Sequence, residues 1–93
     1  MEQRFLTAWK KARTEAESLG VRLRPLPEQP LDSARRMLSG NRDSDGFGHL
    51  QRLGRLDLSL EHLATQKAYT ALFTDEQVNN ALMRLLDAGF RFS

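Results

Sequence analysis

The stretch Phe73-Thr74-Asp75-Glu76-Gln77-Val78, continuing through Ala81-Leu82 and Leu85-Leu86 to Ala88-Gly89-Phe90, decides how the rest of the chain is read. Thr74 holds an N-cap position, its side-chain oxygen free to accept from an early helix N–H, and Gln77 completes a capping box. Phe73 and Val78 flank the first turn at the spacing of a hydrophobic staple. Asp75 and Glu76 fall where the positive end of the helix dipole favours carboxylates. Val78, Ala81, Leu82, Leu85 and Leu86 then recur at i, i+3, i+4, i+7 and i+8, the pattern of one buried face. Gly89 offers a left-handed stop, and Phe90 is placed to fold back on Leu85. Start, face and stop agree on an amphipathic helix against which the other segments must pack. The residues name no activity beyond that of a small helical domain.

Working back from that helix, Leu56 to Leu60 alternates apolar and polar residues, as a half-buried strand does. Asp57 and Ser59 are also good N-caps, however, and Leu60, Leu63, Ala64 and Ala68 continue at helical spacing. The spacing predicts an extended lead-in at Leu56–Leu58 and a helix from Leu60 to about Gln66. A second helical stretch, Lys67 to Leu72, is expected to contribute Ala68, Tyr69 and Leu72 to the core. Further back, a helix over Asp45 to Leu53 presents Phe47, Leu50 and Leu53 and ends at Gly54. Leu31 to Ser39 reads as a short helix capped by Asp32 or Ser33, with Ala34 and Leu38 inward and Gly40 as its stop. Between it and the first helix, Val21-Arg22-Leu23-Arg24 alternates, and Pro25, Pro27 and Pro30 forbid a helix interior. We read 21–30 as an extended Pro-rich connector pinned by Leu26 and Leu31; the P-x-x-P spacing at Pro27 and Pro30 is a common chance match. The first helix, Glu2 to Leu19, lines up Phe5, Trp9, Ala12, Ala16 and Leu19 and stops at Gly20, with Trp9 as a core anchor. The expected fold is all-α: one domain over 1–93, a compact bundle of five to six short helices.

Composition narrows the function classes. The chain has 93 residues, 40% apolar and 28% charged, with no cysteine, which excludes disulfides and thiolate metal sites. No apolar run approaches the ~20 residues that span a bilayer, and the N-terminus lacks the apolar core of a secretory signal. We expect a cytoplasmic protein with no membrane partner. Residues 1–55 hold eleven Arg and Lys against seven Asp and Glu; residues 56–93 hold three against five. Eleven of the fourteen basic residues are arginine, suited to phosphates or acidic proteins, although a solvated surface would look the same.

One loop has the outline of a chemical motif. Asn41, Asp43, Asp45 and Gly46 match positions 1, 3, 5 and 6 of an EF-hand calcium loop. The twelfth position, where that loop needs a bidentate Glu, falls on Arg52, so we read an Asx-rich turn with Ser44 or Asp45 capping the next helix. His49 and His62 have no third imidazole and no paired acid at ligand spacing, so no metal or cofactor is expected. No nucleophile motif or glycine-rich phosphate loop occurs, and we expect no enzyme.

Two function classes remain. Leu60-Glu61-His62-Leu63-Ala64, followed by the helix that ends Leu85-Leu86-Asp87-Ala88-Gly89-Phe90, resembles the second and third helices of winged helix-turn-helix domains. That resemblance implies DNA binding through the last helix, on which Arg84 is the only cation and Asp75 and Glu76 stand at the N-terminus. The leading expectation is instead a protein-interaction module, with an acidic partner or a second copy of the chain. Its candidate contacts are Arg22, Arg24, Arg35, Arg36, Arg42, Arg52 and Arg55, with Met37 and Met83 as adaptable apolar contacts.

Overall fold

Among the described residues of the computed structural model, five α-helices, α1 (Glu2–Ser18), α2 (Pro30–Ser39), α3 (Phe47–Leu53), α4 (Leu60–Thr65) and α5 (Asp75–Asp87), make up the frame. Two 3-10 turns, Leu56–Leu58 and Thr70–Leu72, join them. The structure describes residues 2–23, 30–40, 42–44 and 46–90, and no strand occurs among them.

The terminal helix is built as its residues dictate. Thr74 Oγ1 accepts from the Gln77 N–H at 3.1 Å, and the Gln77 side chain accepts from the Thr74 N–H at 2.9 Å. At the other end Gly89 takes φ 85°, and the Phe90 N–H closes on the Leu85 carbonyl at 2.9 Å. The same ending closes α1, from Val21 to Ala16, and α3, from Arg55 to Leu50. Gly40 is different: it is not left-handed, and the carbonyls at the end of α2 are instead capped by side chains of α5.

One core joins every element. Phe5, Trp9 and Ala16 of α1 meet Ala34 and Leu38 of α2, Phe47 and Leu50 of α3, Leu60 and Ala64 of α4, and Ala81 and Leu85 of α5. Phe5 stands edge-on to Tyr69 and Phe73, with ring centroids 5.7 and 5.5 Å apart, an arrangement favoured by the ring quadrupoles.

Several expectations are corrected. Leu56–Leu58 is a 3-10 turn rather than extended, because the Leu58 and Ser59 N–H groups close back on the Arg55 and Leu56 carbonyls. That turn buries both leucines and leaves Asp57 exposed, which is why the alternation mimicked a strand. Lys67 to Leu72 is a turn followed by Thr70–Leu72, separated from α4 by an extended Gln66 (φ −68°, ψ 134°), and Ala68 is exposed. Pro30 opens α2, where its missing N–H costs no hydrogen bond, so Asp32 and Ser33 lie in the first turn instead of capping it. Helix α3 begins at Phe47 behind a left-handed Gly46 with no side-chain cap. Leu19, Leu53 and Leu86, expected inward, are 41%, 45% and 49% exposed because they lie at ends and flanks that no neighbour covers. Of the connector expected at 21–30, residues 21–23 carry no helix or strand, and 24–29 lie outside the described residues with Arg24 among them. Asn41 and Asp45 of the Asx-rich loop also lie outside them.

Candidate interaction surface and the buried charge network

Buried charge comes first, because it determines which cations are left for function. Glu61 on α4 is fully buried. Its carboxylate accepts from the Ser44 backbone N–H at 2.8 Å and from Ser44 Oγ at 2.5 Å. Arg84 on α5, its side chain only 10% exposed, approaches the same carboxylate at 3.4 Å. The Arg84 guanidinium also donates to the carbonyls of Met37, Leu38 and Gly40. Asn80 donates to the Leu38 carbonyl at 3.0 Å, and Gln77 donates to Ser39 Oγ at 2.9 Å. Gln77, Asn80 and Arg84 lie at i, i+3 and i+7, so one stripe of α5 caps the C-terminal end of α2. Among the described residues, every partner of Glu61 and Arg84 is part of the fold. The cluster joins α2, the 42–44 segment, α4 and α5 and presents no reacting group to solvent.

The sequence did not point to Glu61 as buried, and it assigned Ser44 to a helix cap. A faint signal was there: a lone acid beside Leu60, Leu63 and Ala64, and a lone cation between Leu82 and Leu85. For a nucleic-acid reading the consequence is direct. The cation on the last helix is turned inward, so phosphate contacts would have to come from other elements.

The seven candidate arginines do not form one face. Arg35 donates through Nε to the Leu72 carbonyl at 2.7 Å and pairs with Asp32 at 3.3 Å, which fastens α2 to the Thr70–Leu72 turn. Arg55 pairs with Asp57 at 3.1 Å and with Glu15 at 3.2 Å. Those bonds, to Asp57 first and then to Glu15, raise its pKa above the usual arginine range. Arg22, Arg36, Arg42 and Arg52 are exposed and make no hydrogen bond or ion pair among the described residues.

Val21 and Leu23 flank Gly46 at the start of α3, while Arg55, just past the end of α3, reaches Glu15 of α1. The two ends that bracket α3 are thus tied to the 21–23 segment and to α1. Arg22 lies between Val21 and Leu23, Arg42 in the segment leading into Gly46, and Arg52 in α3 itself. Exposed Leu19 follows the end of α1, and exposed Leu53 is the last residue of α3.

On the opposite side of the chain's last helix, an open groove of about 430 Å³ is lined by Phe73, Val78, Asn79 and Leu82 with Thr70, Ala71 and Asp75. His62 is half-buried against Phe90, ring centroids 5.1 Å apart, and burial pushes its pKa down against the opposing pull of Asp57. Among the described residues no three His, Cys, Asp or Glu side chains gather as a metal site would require. Comparison with family models, curated proteins and solved structures gives no match to this chain.

Proposed function

We propose that the chain is a small non-catalytic protein-interaction module whose arginine-bearing side engages an acidic partner. The observation that carries this reading is the exposure of Arg22, Arg42 and Arg52, together with that of Leu19 and Leu53. Arg35, Arg55 and Arg84 hold the fold together; these three exposed arginines make no hydrogen bond or ion pair among the described residues. Exposed arginines and exposed leucines suit a protein contact, in which arginine is enriched and apolar centres are desolvated. No described helix is long and apolar enough to cross a membrane, and the cysteine-free composition supports our assignment to the cytoplasm.

The test uses the wild-type protein and an Arg22→Gln/Arg42→Gln/Arg52→Gln variant as baits in a native lysate, with mass spectrometry of what each retains. Loss of partners from the variant, with unchanged thermal unfolding, is the expected result; an identical set on both baits overturns the assignment. Random duplex DNA at about 50 mM salt supplies the other arm, since non-specific binding is strongest at low salt. Binding there that the triple variant loses would transfer the same arginines to a nucleic-acid role.

A further inference from the structure

We propose that the outward face of α5 is a docking side in its own right, independent of the exposed arginines, and that it takes a basic amphipathic helix of another protein. Helix α5 has three sides. Gln77, Asn80 and Arg84 face α2, and Ala81 and Leu85 enter the core. The third side is set by the helix itself. Asp75, Leu82 and Leu86 follow one another at seven and then four residues, in one row, and Glu76, Met83 and Asp87 repeat that spacing in the next. Met83 and Leu86 are each 49% exposed, more than any other large apolar side chain among the described residues. Half-buried Leu82 forms a wall of the groove of about 430 Å³ with Phe73 and Val78. An apolar strip thus runs between two carboxylates at one end of α5 and one at the other.

Charge selects the kind of partner. Asp75, Glu76 and Asp87 are exposed, and their side chains make no hydrogen bond or ion pair among the described residues. The cation of the helix, Arg84, is turned away to Glu61 and the end of α2. The helix dipole accounts for Asp75 and Glu76 in the first turn, but it disfavours a carboxylate at Asp87 in the last. Asp87 therefore stands against its local preference, next to Leu86 and one turn from Met83. A helix with an apolar stripe and a cation at each end would cover Met83 and Leu86 and meet the carboxylates at both ends. Glu76 and Asp87 are eleven residues apart, about 16 Å, a distance that about three turns of a partner helix span. Nucleic acid and acidic lipid would be repelled by the same carboxylates. Two copies of this chain paired through this face would set carboxylate on carboxylate whichever way their helices ran.

The probe is a synthetic helical peptide of about 14 residues, roughly 20 Å long, with leucines along one face and lysines at both ends. Its controls are a scrambled peptide of the same composition and one with glutamate in place of lysine. Each is titrated into the isotope-labelled whole chain, and amide shifts in NMR spectra give both the Kd and the place of binding. The lysine peptide should bind with a Kd below about 1 mM and shift the amides of α5, and both controls should bind at least about tenfold more weakly. Met83→Gln/Leu86→Gln should remove saturable binding. Asp75→Asn/Glu76→Gln/Asp87→Asn should raise Kd at least about threefold, the joint effect of three weak surface pairs. Asp87→Asn by itself should weaken binding without lowering Tm, since that carboxylate does not favour the helix. Thermal unfolding verifies that every variant is folded. The Arg22→Gln/Arg42→Gln/Arg52→Gln variant should bind the peptide as the wild type does, which separates this face from the arginine side. No saturable shift by about 1 mM, shifts that map away from α5, or equal binding of either control each overturn the proposal. Indifference to the carboxylate changes, or loss of binding in the arginine variant, does the same. Self-association in sedimentation velocity that Met83→Gln/Leu86→Gln abolishes also overturns it, because the face would then belong to a second copy.

Discussion

Replacing Arg84 by methionine should be among the most destabilising single changes available in this chain. The substitution keeps the bulk of the side chain but removes the charge beside Glu61, which has no contact with water. It also removes the donors to the Met37 and Gly40 carbonyls at the end of α2; the Leu38 carbonyl keeps Asn80. Breaking a buried ion pair from one side costs about 3–5 kcal/mol, because the remaining charge is left unpaired in a poor solvent. For a domain of this size each kcal/mol lowers Tm by about 4–8 °C, so a fall of at least about 12 °C is expected. The assay is thermal and urea unfolding of wild type, Arg84→Met, Glu61→Gln and the double variant. In the double variant the side-chain amide that replaces the Glu61 carboxylate would still accept from the Ser44 N–H and donate to Ser44 Oγ, without a charge to neutralise. The double variant should therefore be more stable than Arg84→Met alone by at least about 1 kcal/mol, the coupling expected of groups in one network. If Arg84→Met costs under about 1 kcal/mol, or if the two changes simply add, the network is not what holds α2, α4 and α5 together.

Two further outcomes follow from local geometry and charge. At Gly46, φ is +78° and an added Cβ would collide with Leu23 Cδ2, whereas Gly54 at φ +71° has open space around it. Gly54→Ala should cost about 1–2 kcal/mol from its backbone alone, and Gly46→Ala roughly 1–3 kcal/mol more from overpacking; equal costs in urea unfolding would show that the 21–23 segment does not press on Gly46. His62 is held below its ordinary pKa by burial, so the folded chain binds its proton less readily than the unfolded chain. Its contribution is then complete above about pH 6.5 and is lost as the pH falls below that value. Melting curves from neutral to mildly acidic pH should accordingly fall less steeply for His62→Gln than for the wild type, and parallel curves would refute the assignment.

What was legible in the sequence was whatever a few neighbouring residues impose on one another. The capping box at Thr74 and Gln77, the stops at Gly20, Gly54 and Gly89, and the inward Phe5, Trp9 and Ala16 all depend on contacts within about a turn of helix. Local rules were weaker where two local patterns competed, as at Leu56–Leu58, since a 3-10 turn and a strand can both bury alternate residues. They were weakest at the candidate site. Seven arginines look alike in sequence, and only their neighbours distinguish Arg35, bonded to a carbonyl 37 residues away, from exposed Arg36 beside it.

By itself, then, the sequence determined an all-α chain, the positions of its main helices and which stripe of each is apolar. Periodicity specifies a side chain's direction around its own helix and says nothing of what stands opposite. Only the tertiary structure decided that Glu61 is covered, that Arg84 turns inward to meet it across 23 residues, and that Leu53 and Leu86 stay in water. The physical reason is that a buried charge is tolerable only where donors from distant segments converge on it, and an apolar face is core only where a second element arrives to cover it.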